Sequence, residues 1–114
     1  MVIKDTGLNG KEALLADMDT YMHDTGFVRW AWDYLHATYD YKLVEKGVTY
    51  YLRIQAHAIE GRLEDSHALL RLEEPFIGKH LFPHGVDYDA VIPDNVLKNA
   101  KGALKTLGDK LANH

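Results

Sequence analysis

The residues best suited to chemistry lie in segment 79–89, which carries two histidines on either side of Pro83 and two aspartates after them. Imidazole and carboxylate groups bind zinc and other divalent ions. A further histidine, at position 57, would join this set only through the fold. The candidate ligand or metal site comprises Lys79, His80, His84, Asp87 and His57, with Asp89 beside it.

A structural role for these histidines is the competing interpretation. Pro83 excludes a helix that would present His80 and His84 on one face, because proline breaks a helix interior. In an ordered loop, a neutral histidine donates from one ring nitrogen and accepts at the other, which satisfies loop backbone groups. We favour this structural role, and we predict no cofactor.

A second candidate site is a row of charges formed by Asp40, Arg53 and Glu73. Two carboxylates beside an arginine would suit acid–base chemistry with a binding cation. We favour a surface row of ion pairs on a sheet, because such pairs are common and weak. We do not expect Ser66 and His67 to form a catalytic pair, because neighbours on a strand point to opposite faces.

A β-hairpin between Ala37 and Ile59 must position the charge row. Apolar residues alternate on both sides of Lys46-Gly47, and alternate residues share one face of a strand. A two-residue turn brings the two apolar sets to the same face, and Gly47 supplies the positive φ that such a turn needs. The predicted register places Leu43 opposite Tyr50, Tyr41 opposite Leu52, Tyr39 opposite Ile54 and Asp40 opposite Arg53.

A further strand follows the polar break at residues 60–66. Its apolar residues fall on even numbers, so it pairs with the second hairpin strand on an even sum of residue numbers. The predicted register sets Ala58 opposite Ala68 and Arg53 opposite Glu73, which completes the charge row.

Two helices are predicted at the ends of the chain. Asn9 and Glu12 fit a capping box before a helix that Gly26 ends in a left-handed cap. Asp94 is the expected cap of the last helix, and a close contact with the sheet would explain Gly102 within it. The buried stripe of the last helix comprises Val96, Leu97, Ala100, Leu104, Leu107 and Leu111.

The remaining segments complete an antiparallel sheet of four strands, with Val2 and Ile3 as a candidate fifth edge strand. Residues 27–34 alternate as the first strand. Its Trp30 and Trp32 could line an aromatic pocket with Tyr39 and Tyr41, but we favour a place for these rings in the core. Segment 75–93 is too apolar for a linker, so we expect an ordered loop with short extended pieces. The predicted fold class is α+β, with the sheet flanked by the two helices.

Length, composition and charge exclude several classes of protein. The 114 residues fit one domain, and the absence of cysteine excludes disulfides and thiolate metal sites. No apolar run suits a signal peptide or a membrane span. A net charge of -4 argues against nucleic-acid binding. We expect a cytoplasmic protein that binds neither nucleic acid nor membrane.

Several short motifs lie between Gly26 and Pro93: Gly26-Phe27-Val28, Trp32-Asp33-Tyr34, Thr38-Tyr39-Asp40, Tyr50-Tyr51-Leu52-Arg53, Gly78-Lys79-His80, Pro83-His84-Gly85-Val86 and Tyr88. These motifs resemble the YugN-like family of small bacterial proteins. The resemblance implies one α+β domain over residues 1–114. It implies no activity, because the family offers no established catalytic or binding residues. Phe82 stands where tyrosine is more frequent, which argues against a required hydroxyl there.

The function predicted from these observations is a non-enzymatic binding module that acts as a homodimer. The apolar residues on the otherwise polar face of the sheet indicate contact with a partner. The candidate dimer face comprises Val44, Tyr51, Ile59 and Leu69. The alternative is a metal-binding protein or an enzyme that uses the loop of His80 and His84.

Overall fold

The computed structural model describes residues 1–83 and 85–113, so His84 and His114 lie outside the described residues. Its elements are β1 (Glu12–Leu14), α1 (Leu15–Thr25), β2 (Val28–Trp32), β3 (His36–Glu45), β4 (Val48–Glu60), β5 (Leu69–Leu72), β6 (Phe76–His80), β7 (Val86–Asp87) and α2 (Asp94–Ala112). The predicted α+β class is confirmed, but over these described residues the sheet has seven strands instead of four or five. Within the described ranges, no helix combines the length and apolar character needed to cross a membrane.

The hairpin of β3 and β4 forms the centre of the sheet, and its predicted register is confirmed. Leu43 lies opposite Tyr50, and Asp40 lies opposite Arg53. The turn places Lys46 at φ 50° and Gly47 at φ 78°. Positive φ at both positions is the geometry of a type I′ turn, whose twist matches that of the two strands.

The long strand β4 pairs with two successive strands along its other edge. Antiparallel β5 pairs with residues 56–60 of β4, and antiparallel β6 pairs with residues 50–53. The two short strands are separated at Pro75, which has no N–H to donate to a ladder. The carbonyl of Pro75 accepts from Ile3 N–H at 2.9 Å, and Val2 forms a bridge with Phe76. The N-terminal segment therefore lies beside β6.

The register of β5 differs from the prediction by two residues. Ala58 lies opposite Leu70 instead of Ala68, so the predicted pairing of Arg53 with Glu73 is wrong. The alternation of apolar residues requires that the numbers of paired residues have an even sum, and the pair of Ala58 and Leu70 has one. Alternation does not determine which even sum the strands adopt. The choice depends on a bulge at Ile59 and on β1, which pairs with the other edge of β5.

The first helix begins later than predicted, and the capping box at Asn9 is wrong. Gly10 N–H donates to Leu72 O at 2.7 Å, and Leu72 N–H donates to Lys11 O at 2.8 Å. These bonds to the β5 segment hold the chain in strand β1 over Glu12–Leu14, so α1 starts only at Leu15. The predicted left-handed cap at Gly26 is confirmed, with φ 108°.

Both helices contribute to the core on one side of the sheet, called here the helix face. Tyr39, Leu52 and Ile54 are buried on this face. Tyr39 donates its hydroxyl hydrogen to Asp19 Oδ1 at 2.7 Å. Burial is the main cause that raises the pKa of Tyr39, and the bond to Asp19 is the second. In α2 the predicted stripe is buried, except that Leu97 is only partly so.

Two details of α2 differ from the prediction. Asp94 is the first helical residue instead of the cap, which is Pro93. Gly102 makes no close contact with the sheet, since a Cβ added there would meet nothing within 4 Å. A first-turn aspartate still interacts favourably with the helix dipole.

The two tryptophans of β2 are exposed, so their predicted place in the core is wrong. Trp30 is 72% exposed and Trp32 is 52% exposed. Val28 lies opposite Asp40 and Arg29 opposite Tyr39, before a bulge at Trp30 shifts the register. Val28 therefore shares the face of Asp40, opposite the helix face, which we call the outer face. As an edge strand, β2 also leaves its side chains with few neighbours.

Candidate functional site

The outer face carries a groove of about 600 Å³, which is within the usual range for small-ligand sites. Strands β3 and β4 form its floor. The bulge of β2 forms one wall, and the segment 85–88 after β6 forms the other. The residues that give the groove its chemistry are Trp30, Lys42, Tyr51, Arg53, His80 and Tyr88.

An ion pair between Asp40 and Arg53 lies on the floor of this outer-face groove. Arg53 Nε donates to Asp40 Oδ1 at 2.7 Å, and Nη2 donates to Oδ2 at 2.8 Å. The two residues are directly opposite each other on β3 and β4, which aligns the planar groups for two parallel bonds. Asp40 is only 9% exposed. The bond to Asp40 raises the pKa of Arg53, so this cation is permanently charged.

Tyr88 occupies the place beside Arg53 that the sequence assigned to Glu73. Arg53 Nη1 donates to the Tyr88 hydroxyl oxygen at 2.7 Å. The ring of Tyr88 packs edge-on against Phe76, with ring centroids 5.1 Å apart. Glu73 instead lies near His57, with 3.7 Å between Oε2 and Nδ1. The third member of the row is thus a phenol, which adds a neutral acceptor where a second carboxylate was predicted.

Gly78 allows segment 85–88 to lie close over the outer face. A Cβ added at Gly78 would lie 2.4 Å from Val86 Cγ1 and 2.8 Å from Tyr88 Cδ1. These separations are far below van der Waals contact, so no residue with a side chain fits without displacement. The glycine thereby places Tyr88 within reach of Arg53.

Lys42 and His80 add polar groups to the aromatic surfaces of the groove. The ring of His80 packs edge-on against Tyr51, with centroids 5.7 Å apart. Lys42 lies directly opposite Tyr51. Among residues 1–83 and 85–113, no carboxylate lies within ion-pair distance of Lys42. Because Asp40 and Arg53 offset each other, Lys42 leaves the groove with a net positive charge.

The chain is similar to two proteins of Bacillus subtilis (strain 168). The uncharacterized protein YlbA is 36% identical over 110 residues, covering 94% of this chain and 92% of the relative. The uncharacterized protein YugN is 30% identical over 88 residues, covering 76% of this chain and 66% of the relative. The sequence profile of the YugN-like family matches residues 4–100. The chain belongs to the YugN-like family.

A solved relative has the same fold. The crystal structure of an uncharacterized conserved protein YugN from Geobacillus kaustophilus HTA426 superposes with a TM-score of 0.87 at 38% sequence identity. The match covers 99% of this chain and 96% of that chain. The resemblance to the YugN-like family that the motifs indicate is confirmed. The family indicates no function, so the geometry of the groove is the basis for one.

Among the described candidate metal ligands, which are Lys79, His80, Asp87 and His57, the structure forms no single cluster. His57 lies six residues along β4 from Tyr51, the neighbour of His80, which is roughly 20 Å at the rise of a strand. Lys79 and Asp87 are paired across β6 and β7, and Lys79 alternates with His80 along its strand. No group of three metal-binding side chains occurs in the described part of the chain, which lacks His84.

The four residues of the candidate dimer face do not form one patch. Val44 lies beside the hairpin turn, and Ile59 lies at the other end of β4. Thr49, which is the partner of Val44 on β4, lies roughly 33 Å along the strand from Ile59. Tyr51 is partly covered by His80, and Leu69 lies near Ile59. A homodimer stays a prediction, and an interface that includes all four residues would have to extend along most of β4.

Sequence reasoning missed Tyr88 as a site residue and preferred the core to a pocket for Trp30, which lines the groove. Trp30 was assigned to the core because the bulge that turns it outward leaves the alternating pattern unchanged. Tyr88 is 35 positions from Arg53, and nothing in the local pattern predicts their bond. The predicted pairing of Asp40 with Arg53 was the only signal, because it placed an ion pair on this face of the sheet.

Proposed function

We propose that the protein is a non-enzymatic binding module whose ligand lies in the outer-face groove. The observation that carries this proposal is the fixed guanidinium of Arg53, bonded to Asp40 and Tyr88 inside a ligand-sized groove. Both carboxylate oxygens of Asp40 accept from Arg53. A carboxylate so occupied stabilises a cation and is poorly placed to take a proton from a substrate, which favours binding over catalysis.

The charges and rings of the groove fit a small aromatic anion. Lys42 supplies the positive charge that Asp40 does not offset. Trp30 presents a largely exposed ring on the opposite wall from Tyr88. Stacking on aromatic rings and one ion pair are the interactions that such a ligand would make.

Ligand-observed NMR with naphthalene-2-carboxylate and the neutral naphthalene-2-carboxamide tests this proposal. Lys42→Met is expected to weaken binding of the carboxylate up to about fivefold, the effect of one exposed ion pair of up to about 1 kcal/mol. The carboxamide should bind the variant as it binds wild type. Trp30→Ala should weaken both probes, because it removes the ring and leaves the charge of Lys42.

Lys98→Met is the matched control, since Lys98 is an exposed lysine on α2, away from the groove. It should leave both affinities unchanged. Equal binding of the carboxylate by wild type and Lys42→Met would contradict the proposed ligand class. A divalent metal that raises the melting temperature of wild type, but not of His80→Ala, would favour the metal-binding alternative instead.

A further inference from the structure

Two histidines face each other across β3 and β4, near the end of the hairpin that is distant from its turn. His36 lies directly opposite His57. Ala58 N–H donates to Leu35 O at 2.7 Å, whereas His36 O accepts from Asp33 N–H at 2.9 Å on the other side of β3. The two histidines therefore form a non-hydrogen-bonded pair, in which the Cα atoms are about 4.5 Å apart and the side chains are closest.

This histidine pair lies on the same face of the sheet as Asp40 and Arg53 but outside the groove. Each histidine is four residues along its strand from one member of that ion pair, so alternation places all four side chains on the outer face. Four residues correspond to roughly 13 Å along a strand. The β4 residues that line the groove are Tyr51 and Arg53, so the histidine pair is a separate feature of the surface.

A carboxylate lies beside the Nδ1 atom of each histidine. His36 Nδ1 lies 3.2 Å from Asp33 Oδ1, and His57 Nδ1 lies 3.7 Å from Glu73 Oε2. An ionised carboxylate only accepts hydrogen bonds, which favours the neutral imidazole with its proton on Nδ1 and its lone pair on Nε2. Metal-binding histidines are typically oriented in this way, with one ring nitrogen bonded to a carboxylate and the other to the ion.

We propose that the Nε2 atoms of His36 and His57 together bind one divalent transition-metal ion, for which Zn²⁺ is the probe. Two nitrogens bound to tetrahedral Zn²⁺ at about 2.0–2.1 Å are about 3.3 Å apart. Directly opposite Cβ atoms are about 4.5–5.5 Å apart, so two imidazole rings can converge to that separation. Imidazole suits zinc, copper and nickel, whereas magnesium and calcium prefer oxygen ligands.

The site has two protein ligands, and water completes the four positions around the ion. Asp33 and Glu73 remain beside Nδ1, in keeping with the lack of a group of three metal-binding side chains among the described residues. Arg71 lies directly opposite His57 on the β5 side. Its Nε and Nη2 donate to Glu12 Oε2 at 2.9 and 2.8 Å, which offsets its positive charge and leaves the two carboxylates beside the histidines to favour a cation.

Isothermal titration calorimetry of untagged protein with ZnCl₂ tests this site. Wild type should bind one Zn²⁺ per chain. His36→Ala and His57→Ala should each raise the dissociation constant at least about tenfold, because loss of a group that only orients a ligand already costs about 10–100-fold. Asp33→Asn retains an acceptor for backbone N–H groups but removes the charge beside His36 Nδ1, so it should weaken binding about tenfold.

His67→Ala is the matched control. His67 is exposed and has its Nδ1 3.5 Å from Asp65 Oδ1, but it lies in the loop before β5, outside the ladder of β3 and β4. This variant should bind Zn²⁺ as wild type does. Absence of Zn²⁺ binding by wild type, or equal binding by wild type, His36→Ala and His57→Ala, would overturn the proposal. Half an ion per chain would also overturn it, because the ion would then bridge two molecules.

NMR of the imidazole nitrogens gives a second test that does not depend on the stability of a variant. Added Zn²⁺ should shift the Nε2 signals of His36 and His57 together and leave those of His80 in place. A shift confined to His80 would contradict this site and favour the metal-binding alternative in the groove.

The two proposals fail in different ways. His57→Ala should bind naphthalene-2-carboxylate as wild type does, because the groove lies roughly 13 Å along the sheet. Loss of Zn²⁺ binding with retained carboxylate binding therefore supports the histidine site on its own. If wild type binds Zn²⁺ at the histidine pair but does not bind the carboxylate, the ligand proposed for the groove is wrong and the metal site stands.

Discussion

At the scale of single residues, Arg53 shows how one side chain organises a site. Its three guanidinium nitrogens bond to Asp40 and Tyr88, which come from separate parts of the sheet. A charge that is partly buried is stable only where such partners are supplied. The groove therefore depends on β3, β4 and the segment after β7 being assembled together.

Asp33 is a second residue whose charge depends on local geometry. Its Oδ1 accepts from Leu35 N–H and His36 N–H, both at 2.8 Å, in the turn between β2 and β3. These backbone bonds hold the pKa of Asp33 below its ordinary value of 3.8. The carboxylate form is thus favoured in the folded state.

The lowered pKa of Asp33 predicts a small loss of stability in acid. A group with a depressed folded pKa stabilises the fold above its unfolded pKa, and this contribution is lost as pH falls through the folded pKa. Asp33→Asn cannot titrate, so the difference in melting temperature between wild type and variant should shrink between about pH 5 and pH 2. Glu64→Gln, at another exposed carboxylate, is the control. A difference that stays constant across this range would contradict the assignment.

At the scale of elements, the short strands β6 and β7 depend on Gly78. The groove wall formed by segment 85–88 passes directly over Gly78, and Val86 and Asp87 of this wall pair with β6. Segment 75–93 was expected to be an ordered loop with short extended pieces. The structure has β6 and β7 in it, and their close approach explains why glycine stands at position 78.

Gly78→Ala is expected to destabilise the protein by about 1–3 kcal/mol, because the added methyl group overpacks against Val86 and Tyr88. NMR shifts of Tyr88 and Arg53 should change, since the wall moves away from the floor. Gly102→Ala is the control, because position 102 is exposed and open in the middle of α2. That substitution should stabilise the helix by up to about 1 kcal/mol. Equal unfolding free energies for the two variants would contradict the close packing at Gly78.

At the scale of the whole molecule, α2 closes the core over the helix face. It packs against β3 and α1, and Leu107 at its centre is fully buried. The helix is thus attached to parts of the chain that are distant from it in sequence. We therefore expect α2 to unfold only together with the rest of the protein, because its apolar stripe packs against the core.

Leu107→Ala is expected to lower the free energy of unfolding by about 2–5 kcal/mol, the cost of a large cavity in a core. Val91→Ala, at a highly exposed apolar residue, should change it by less than about 0.5 kcal/mol. Urea denaturation followed by circular dichroism measures both values. An effect of Leu107→Ala no larger than that of Val91→Ala would mean that α2 is not part of the core.

The sequence by itself determined the elements whose contacts are close along the chain. The register of the hairpin followed from alternation and a two-residue turn, because a tight turn leaves only one pairing that keeps both apolar sets on one face. The stripe of α2 and the cap at Gly26 likewise depend on residues within a few turns. Asp40 and Arg53 could be paired for the same reason.

Only the tertiary structure decided the contacts between distant segments. Alternation sets which residues share a face but leaves the register of β5 open by steps of two residues. The residues before α1 became a strand because β5 offered free backbone groups, and backbone hydrogen bonding is not visible in side-chain patterns. The bulge in β2 turned Trp30 outward, and Gly78 brought Tyr88 to Arg53. The groove is therefore a product of pairing across the sheet, which no local pattern specifies.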